Sequence, residues 1–410
     1  MSATTLAAAP SPARLSGIHL PAALGAGALL LAGALAIGEI VSPRQAALYL
    51  LGAALGLVLY HAAFGFTAAW RVFIADRRGE GLRAQMAMLA IAVLLFYPVL
   101  AAGSLFGQPV QGLVAPVGVS VLFGAFLFGI GMQLGGGCAS GTLYTVGGGS
   151  VRMVLTLAAF IAGSTIGAAH LHWWQAQWSL PPISLVREWG VLPALALNLG
   201  LFALIAGLTV VLERRRHGRL VGAGPAPRAG LARFLRGPWP LLAGAVALAL
   251  LNFATLALAG RPWGITSAFA LWGSKLAEGI GFDPAFWPYW STPAQAAALE
   301  ASVLRDVTSV MDFGIVLGAL LAAALARRFS PSLRVPLRSA LAAVVGGLML
   351  GYGARLAYGC NIGAYFSGIA SSSLHGWVWM AMAFAGNVLG TRLRPLFGLE
   401  VERTPRLTGC

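Results

Sequence analysis

Cys138 and Cys360 are the residues best suited to chemistry in this chain, because they recur in matching surroundings. The stretch from Gly129 reads GIGMQLGGGCASGTLYTVGGG, and the stretch from Gly351 reads GYGARLAYGCNIGAYFSGIAS. Both follow G-x-G-x-x-L-x-x-G-C-x-x-G without a gap. Gly129, Gly131, Leu134, Gly137, Cys138 and Gly141 thus match Gly351, Gly353, Leu356, Gly359, Cys360 and Gly363. The chain has three cysteines, so two of them in register outweigh coincidence among its 54 glycines. Packing of glycine-rich helices would require neither a repeated thiol nor a broken helix. The pattern predicts a helix that stops near mid-membrane, a tight loop presenting a thiol, and a short helix that starts there.

A second pair of segments repeats as well. GFTAAW from Gly65 matches GITSAF from Gly264, which places Thr67 opposite Thr266. Each half of the chain then has two loops leading into short helices. Four helix N-termini converging on one point make an anion site, since each offers unpaired N–H groups and a partial positive charge. The thiols add weak S–H donors and polarizable sulfur. A hard oxyanion gains little from sulfur, whereas a soft anion with an exposed sulfur gains more. The residues alone therefore point to a small sulfur-containing or similarly soft anion.

Several neighbours could join such a site. Thr67 and Thr266 could donate hydroxyls to the anion or cap their helices. Asn361, Ser140 and Thr142 flank the thiols. Arg355 precedes Cys360 by five residues, where Gln133 stands in the other copy. An intramembrane arginine usually faces a cavity or a partner, so Arg355 is expected either to attract the anion from the inner vestibule or to play a structural role, such as neutralising helix C-terminal carbonyls. Asp306 and Asp312 could carry a proton, with a charge at the outer helix end as the plainer role. Cys410 is assigned nothing.

The elements that must position these residues follow from composition. The chain has 410 residues, is 58% hydrophobic and 10% charged, and has a mean hydropathy of +0.81. That profile belongs to a polytopic membrane protein. All but one of its 27 basic residues are arginine, and they crowd the short links between apolar runs. This is the positive-inside pattern, so the net charge of +15 is not read as nucleic-acid binding. No Cys-x-x-Cys and no histidine cluster suggests a metal, and no cofactor is expected. The predicted fold is all-α and polytopic, an inverted-topology repeat with broken helices and re-entrant-like loops meeting at the midplane. Its expected parts are a cytoplasmic tail (1–17), an extra first span (18–41) and a first repeat (45–170). A linking span and basic cytoplasmic loop (171–237), a second repeat (238–395) and a cytoplasmic tail (396–410) follow.

The paired G-C-x-x-G segments and the GITS at Gly264 resemble the YeeE/YedE family, some of whose members take up thiosulfate. The resemblance covers about residues 45–395. It implies an hourglass-shaped inverted repeat in a bacterial inner membrane, with both termini cytoplasmic and cysteines lining a narrow central path. Cys138 and Cys360 would be the path cysteines, passing the anion along through S–H···S contacts. The family's thiosulfate transporters also carry a cysteine in the first loop, in a segment like R-F-C-L-T. Here that place holds Gly65, in Ala63-Phe64-Gly65-Phe66-Thr67. The expected function is uptake of thiosulfate or a related small sulfur-containing anion, without chemical change. The alternative is a membrane sulfur-transfer or redox protein that uses Cys138 or Cys360 covalently. A third reading adds a cytoplasmic sulfurtransferase as partner, docked on the basic loops.

Overall fold

In a bilayer, apolar runs of about 20 residues must satisfy their own backbone groups, so they become helices. The computed structural model describes residues 18–222, 230–331 and 333–402. The expected N-terminal tail, Cys410, residues 223–229 of the basic loop and the end of the C-terminal tail lie outside them. The first part of the chain forms α1 (Leu20–Ile40), α2 (Pro43–His61), α3 (Phe66–Asp76), α4 (Glu80–Ala102), α5 (Val119–Gly135), α6 (Ala139–Gly147) and α7 (Val151–Gln175). A connecting part holds α8 (Leu185–Trp189), α9 (Val191–His217) and α10 (Gly230–Arg236). Then come α11 (Leu241–Ala259), α12 (Thr266–Gly279), α13 (Pro293–Glu300), α14 (Val307–Leu325) and α15 (Leu337–Leu356). A π-helix at Asn361–Ser367 runs into α16 (Gly368–Ala370), and α17 (Leu374–Leu393) follows.

Nine helical segments among the described residues are long and apolar enough to cross a membrane. The protein is therefore an all-α multi-pass membrane protein. Two of the nine are the composite stretches Pro43–Asp76 and Val119–Gly147, each interrupted by a loop. α17, within the expected second repeat, is not among the nine. Its polar residues His375, Asn387 and Thr391 are buried against protein, which lowers its hydropathy without exposing them to lipid. α1 shows the opposite character: Leu24, Leu29, Leu31 and Leu35 are exposed, as befits a helix on the lipid-facing rim.

Side-chain and backbone contacts gather the links into two ends. At one end Asp76 pairs with Arg78 at 3.0 Å and Arg216 at 3.9 Å, and Glu213 pairs with Arg83 at 2.6 Å. These contacts tie the arginine-rich link after α3 to the end of α9. At the other end, Gln111 N–H donates to the Gly260 carbonyl, and Leu185 N–H donates to that of Ser372. Residues 117–118 and 179–180 pair there as two short antiparallel strands, and Trp173, Trp178 and Trp189 are exposed, as in an interfacial belt.

The centre is built on glycine. A Cβ at Gly129 would collide with the Ala383 carbonyl of α17, and one at Gly351 with the Phe160 carbonyl of α7. A Cβ at Gly353 would stand 2.5 Å from the Gly124 carbonyl of α5. The first glycines of the repeated motif therefore serve helix packing, as small residues do between membrane helices. α5 packs against α15 and α17, and α15 packs against α5 and α7.

Candidate functional site

Both cysteines occupy the same local geometry. α5 closes on Gly136, whose φ of +93° suits glycine and turns the chain sharply. Two residues later Cys138 caps α6, its Sγ accepting the Gly141 N–H at 3.4 Å and lying 3.3 Å from Ser140 Oγ. After α15 the turn uses Tyr358 at φ +57° and Gly359 at φ +147°. Cys360 then caps the π-helix, its Sγ accepting the Ile362 N–H at 3.4 Å. With a sulfur lone pair turned to the helix N–H, each S–H is left to point elsewhere. Both thiols are buried and free of disulfides, and the two short helices they begin touch each other. The broken helices foreseen from the spacing are present. The π turn in the second copy left no mark in that spacing.

The remaining expected residues divide. Asn361 is fully buried beside Cys360 and both its amide atoms lack a protein partner. Thr67 Oγ1 is likewise buried and unpartnered. Thr142 is committed, its hydroxyl donating to the Cys138 carbonyl at 2.8 Å. Gly137 and Gly359 leave room for the capping turns, since a Cβ there would press on residues 141–142 and 363–364. Gly141 and Gly363 are open: a Cβ at Gly141 would meet only the Cys138 sulfur, and one at Gly363 nothing within 4 Å.

Arg355 does not neutralise helix C-terminal carbonyls. Its guanidinium donates to Tyr289 Oη and to Thr266 Oγ1, and it lies 5.4 Å from the centre of the Tyr289 ring. The carbonyl role falls in the other half to two arginines that the sequence marked only by side. Arg152 donates to the Leu134 carbonyl at 2.7 Å and the Gly135 carbonyl at 2.9 Å, and Arg394 donates to that of Gln133 at 2.6 Å. Gln133 itself donates to the Thr67 carbonyl at 3.2 Å and to Asn387 Oδ1 at 2.5 Å. Tyr365, with a buried unpartnered hydroxyl against Phe66, Trp70 and Trp379, was also missed. An aromatic in an apolar run carries no signal of its own.

Two cavities approach the loops from opposite ends. At the tryptophan-bearing end a cavity of about 290 Å³ is lined by Gly264, Thr266, Arg261, Arg355, Gly359 and Gly363. It shares Gly112, Ser267, Arg355 and Tyr358 with an outer one of about 630 Å³. At the arginine-rich end a cavity of about 300 Å³ is lined by Gly65, Arg78, Gln85 and Val221. Gly65 and Gly264 thus border different cavities.

A family model described as sulphur transport matches residues 61–389. The chain belongs to the sulphur transport family. It is 29% identical to the thiosulfate transporter TsuA of Spirochaeta thermophila over 82% of this chain and 95% of that protein. It is 26% identical to the Escherichia coli TsuA over 82% of this chain and 90% of that protein. A probable transporter of E. coli, YedE, is 32% identical over 40% of each chain, so the match spans well under half of that relative's length.

Within this family member the Gly65 loop needs no special backbone. Gly65 has φ −112° and ψ 120°, and Gly264 is not among the residues with positive φ. The matched glycines are therefore not explained by a left-handed bend. Below the Cys138 loop, Glu402 reaches across to Arg71 in a bidentate pair at 2.6 and 2.7 Å. That pair holds the Glu402 carboxyl down at about 2. Arg394 is lowered to about 10, chiefly by burial and then by the nearby Arg71 charge.

Proposed function

We propose that this protein takes up thiosulfate, or a related small sulfur-containing anion, through a central path on which Cys138 and Cys360 present their thiols. The observation that carries the reading is the pair of caps: two buried thiols, each at the N-terminus of a short helix, with the two short helices in contact. Helix N-termini favour an anion, and the sulfurs favour a soft one. The unpartnered amide of Asn361 supplies a donor beside Cys360, because a buried amide without a partner is costly unless a ligand satisfies it. The relatives named thiosulfate transporters cover most of the chain and agree with this substrate.

The reading includes an inverted repeat, with α2–α7 as one unit and α11–α17 as the other. The packing supports it. Exchanging the units turns the α7–α15 contact into α17–α5 and the α2–α14 contact into α11–α4, and all four contacts exist. The arginine-rich end faces the cytoplasm of a bacterial inner membrane in this scheme, and a cytoplasmic sulfurtransferase would meet the protein there.

Labelled thiosulfate uptake into proteoliposomes tests the path. Cys138→Ala and Cys360→Ala should each cut uptake at least about tenfold, a loss of about 1.4 kcal/mol or more in barrier terms. Serine should rescue poorly, since it keeps a donor but loses the soft sulfur. Full uptake by the double alanine variant would end the thiol reading. Intact mass after thiosulfate treatment should show no added sulfur; a covalent adduct would favour sulfur transfer instead.

A further inference from the structure

Asp312 is a carboxylate with nothing to hold it. It is the sixth residue of α14, about 8 Å along the helix axis from its start. The side chain is fully buried, and neither oxygen has a hydrogen-bond partner. A buried charge is tolerated only when paired, and an unpaired one takes up a proton instead. Its surroundings offer no pairing. The titratable and charged groups on elements packed against α14 are His19 and Glu39 of α1, and Arg44, Tyr49, Tyr60 and His61 of α2. Cys138 and Tyr144 belong to α6, Arg233 and Arg236 to α10, Lys275 and Glu278 to α12, and Arg305 and Asp306 precede α14 itself. Arg44, Tyr49, Arg233 and Lys275 donate to the backbone carbonyls of Leu258, Leu29, Pro238 and Leu299. None of these groups reaches an Asp312 oxygen with a hydrogen bond, while α14 packs on α6, the short helix that Cys138 begins.

A polar track leads from the tryptophan-bearing end to the helical turn before this carboxyl. Ser267 lines both cavities there, and its hydroxyl donates to Thr308 Oγ1 at 3.0 Å. Arg261, on the wall of the smaller cavity, donates to the same oxygen at 3.1 Å. Thr308 lies one helical turn before Asp312 on the same face. We propose that Asp312 binds the proton that accompanies the anion, so that uptake is proton-coupled symport. This rests on the reading of an anion path past Cys360. An ionised Asp312, on the helix packed against α6, repels an anion held where the two short helices begin, and a neutral one does not. Proton and anion therefore favour each other's binding by the same factor, and the loss of either weakens the other by that factor.

The test uses the full-length protein in proteoliposomes with labelled thiosulfate. An acidic outer medium should raise wild-type initial uptake several-fold over equal pH. Asp312→Asn should lose that stimulation yet still exchange external for internal thiosulfate at equal pH, which needs no net proton movement. Equal wild-type uptake with and without the gradient overturns the assignment, as does gradient stimulation that survives in Asp312→Asn. If the asparagine variant neither accumulates nor exchanges, Asp312→Glu decides: gradient-driven uptake supports the assignment and an inert protein overturns it. Wild-type protein that carries no thiosulfate at any pH refutes the thiosulfate reading instead, and the same gradient comparison with sulfite then decides on Asp312.

Discussion

Gln133 and Arg355 hold the same place in the two copies of the cysteine motif, and each reaches the matching threonine loop. Gln133 Nε2 donates to the Thr67 carbonyl at 3.2 Å, and Arg355 Nη2 donates to Thr266 Oγ1 at 3.5 Å. The positions joined are the same, but the accepting atom and the charge of the donor differ. A neutral amide serves the loop nearer the arginine-rich end. A cation serves the loop that borders the cavity at the opposite end.

We propose that this asymmetry makes Arg355 an anion-gathering group. Arg355→Gln would copy the first half's solution and keep a donor for Thr266. The expected result is a KM for thiosulfate raised about tenfold, with kcat less affected, and a weaker dependence on ionic strength. Initial-rate uptake at two salt concentrations checks it. An unchanged KM would mean that the Tyr289 and Thr266 contacts are structural.

Gly65→Cys should fold. The backbone there is extended, and the nearest neighbour of an added Cβ is Tyr144 Oη at 3.5 Å, an ordinary contact. Its melting temperature should match that of the wild type, and thiosulfate uptake should equal or exceed it as a third sulfur enters the loop. A fall in uptake with intact folding would show that a ligand approaches the bare Gly65 backbone.

The motif glycines should separate into two classes by substitution. Gly129→Val would drive a side chain into the Ala383 carbonyl and should cost about 1–3 kcal/mol or more, as overpacking does, seen as a lowered melting temperature in detergent. Gly264→Ala meets nothing within 4 Å, so stability should be unchanged, and any effect should appear in uptake alone.

The Arg71–Glu402 pair fastens the C-terminal segment beneath the Cys138 loop. The folded carboxyl sits at about 2, below its ordinary 4.5, so its contribution is complete above about pH 4.5. It is lost as pH falls toward 2. Glu402→Gln should release the segment at neutral pH. Hydrogen exchange of Leu399–Glu402 reports the release, and wild-type exchange there should accelerate only in acid.

Much of the architecture was readable because membrane helices announce themselves by length and apolarity. The apolar run expected as a span over 18–41 forms α1 over Leu20–Ile40. The cysteine loops were readable because glycine and cysteine recur in register. What stayed hidden depends on three-dimensional partners. Arg152 and Arg394 look like side markers in a sequence, yet they cap the carbonyls of α5. Asp312 looks like a charge near a helix end until its burial shows that no partner comes with it. The role of Gly129 and Gly131 also came from outside the loop, from the backbones of α17 and α15.

The glycine contacts at the centre have a mechanical meaning. α5, α7, α15 and α17 touch backbone to backbone at Gly129, Gly351 and Gly353, with no flexible side chains between them to serve as a bearing. Two halves riveted in this way cannot slide or rock past one another without prising apart carbonyls and Cα atoms already at contact distance. The compliance of the molecule is left to its small parts: the capping turns, the two thiols, and the short helices they begin. On the proposed path, an anion would be handed between side chains inside a stationary frame.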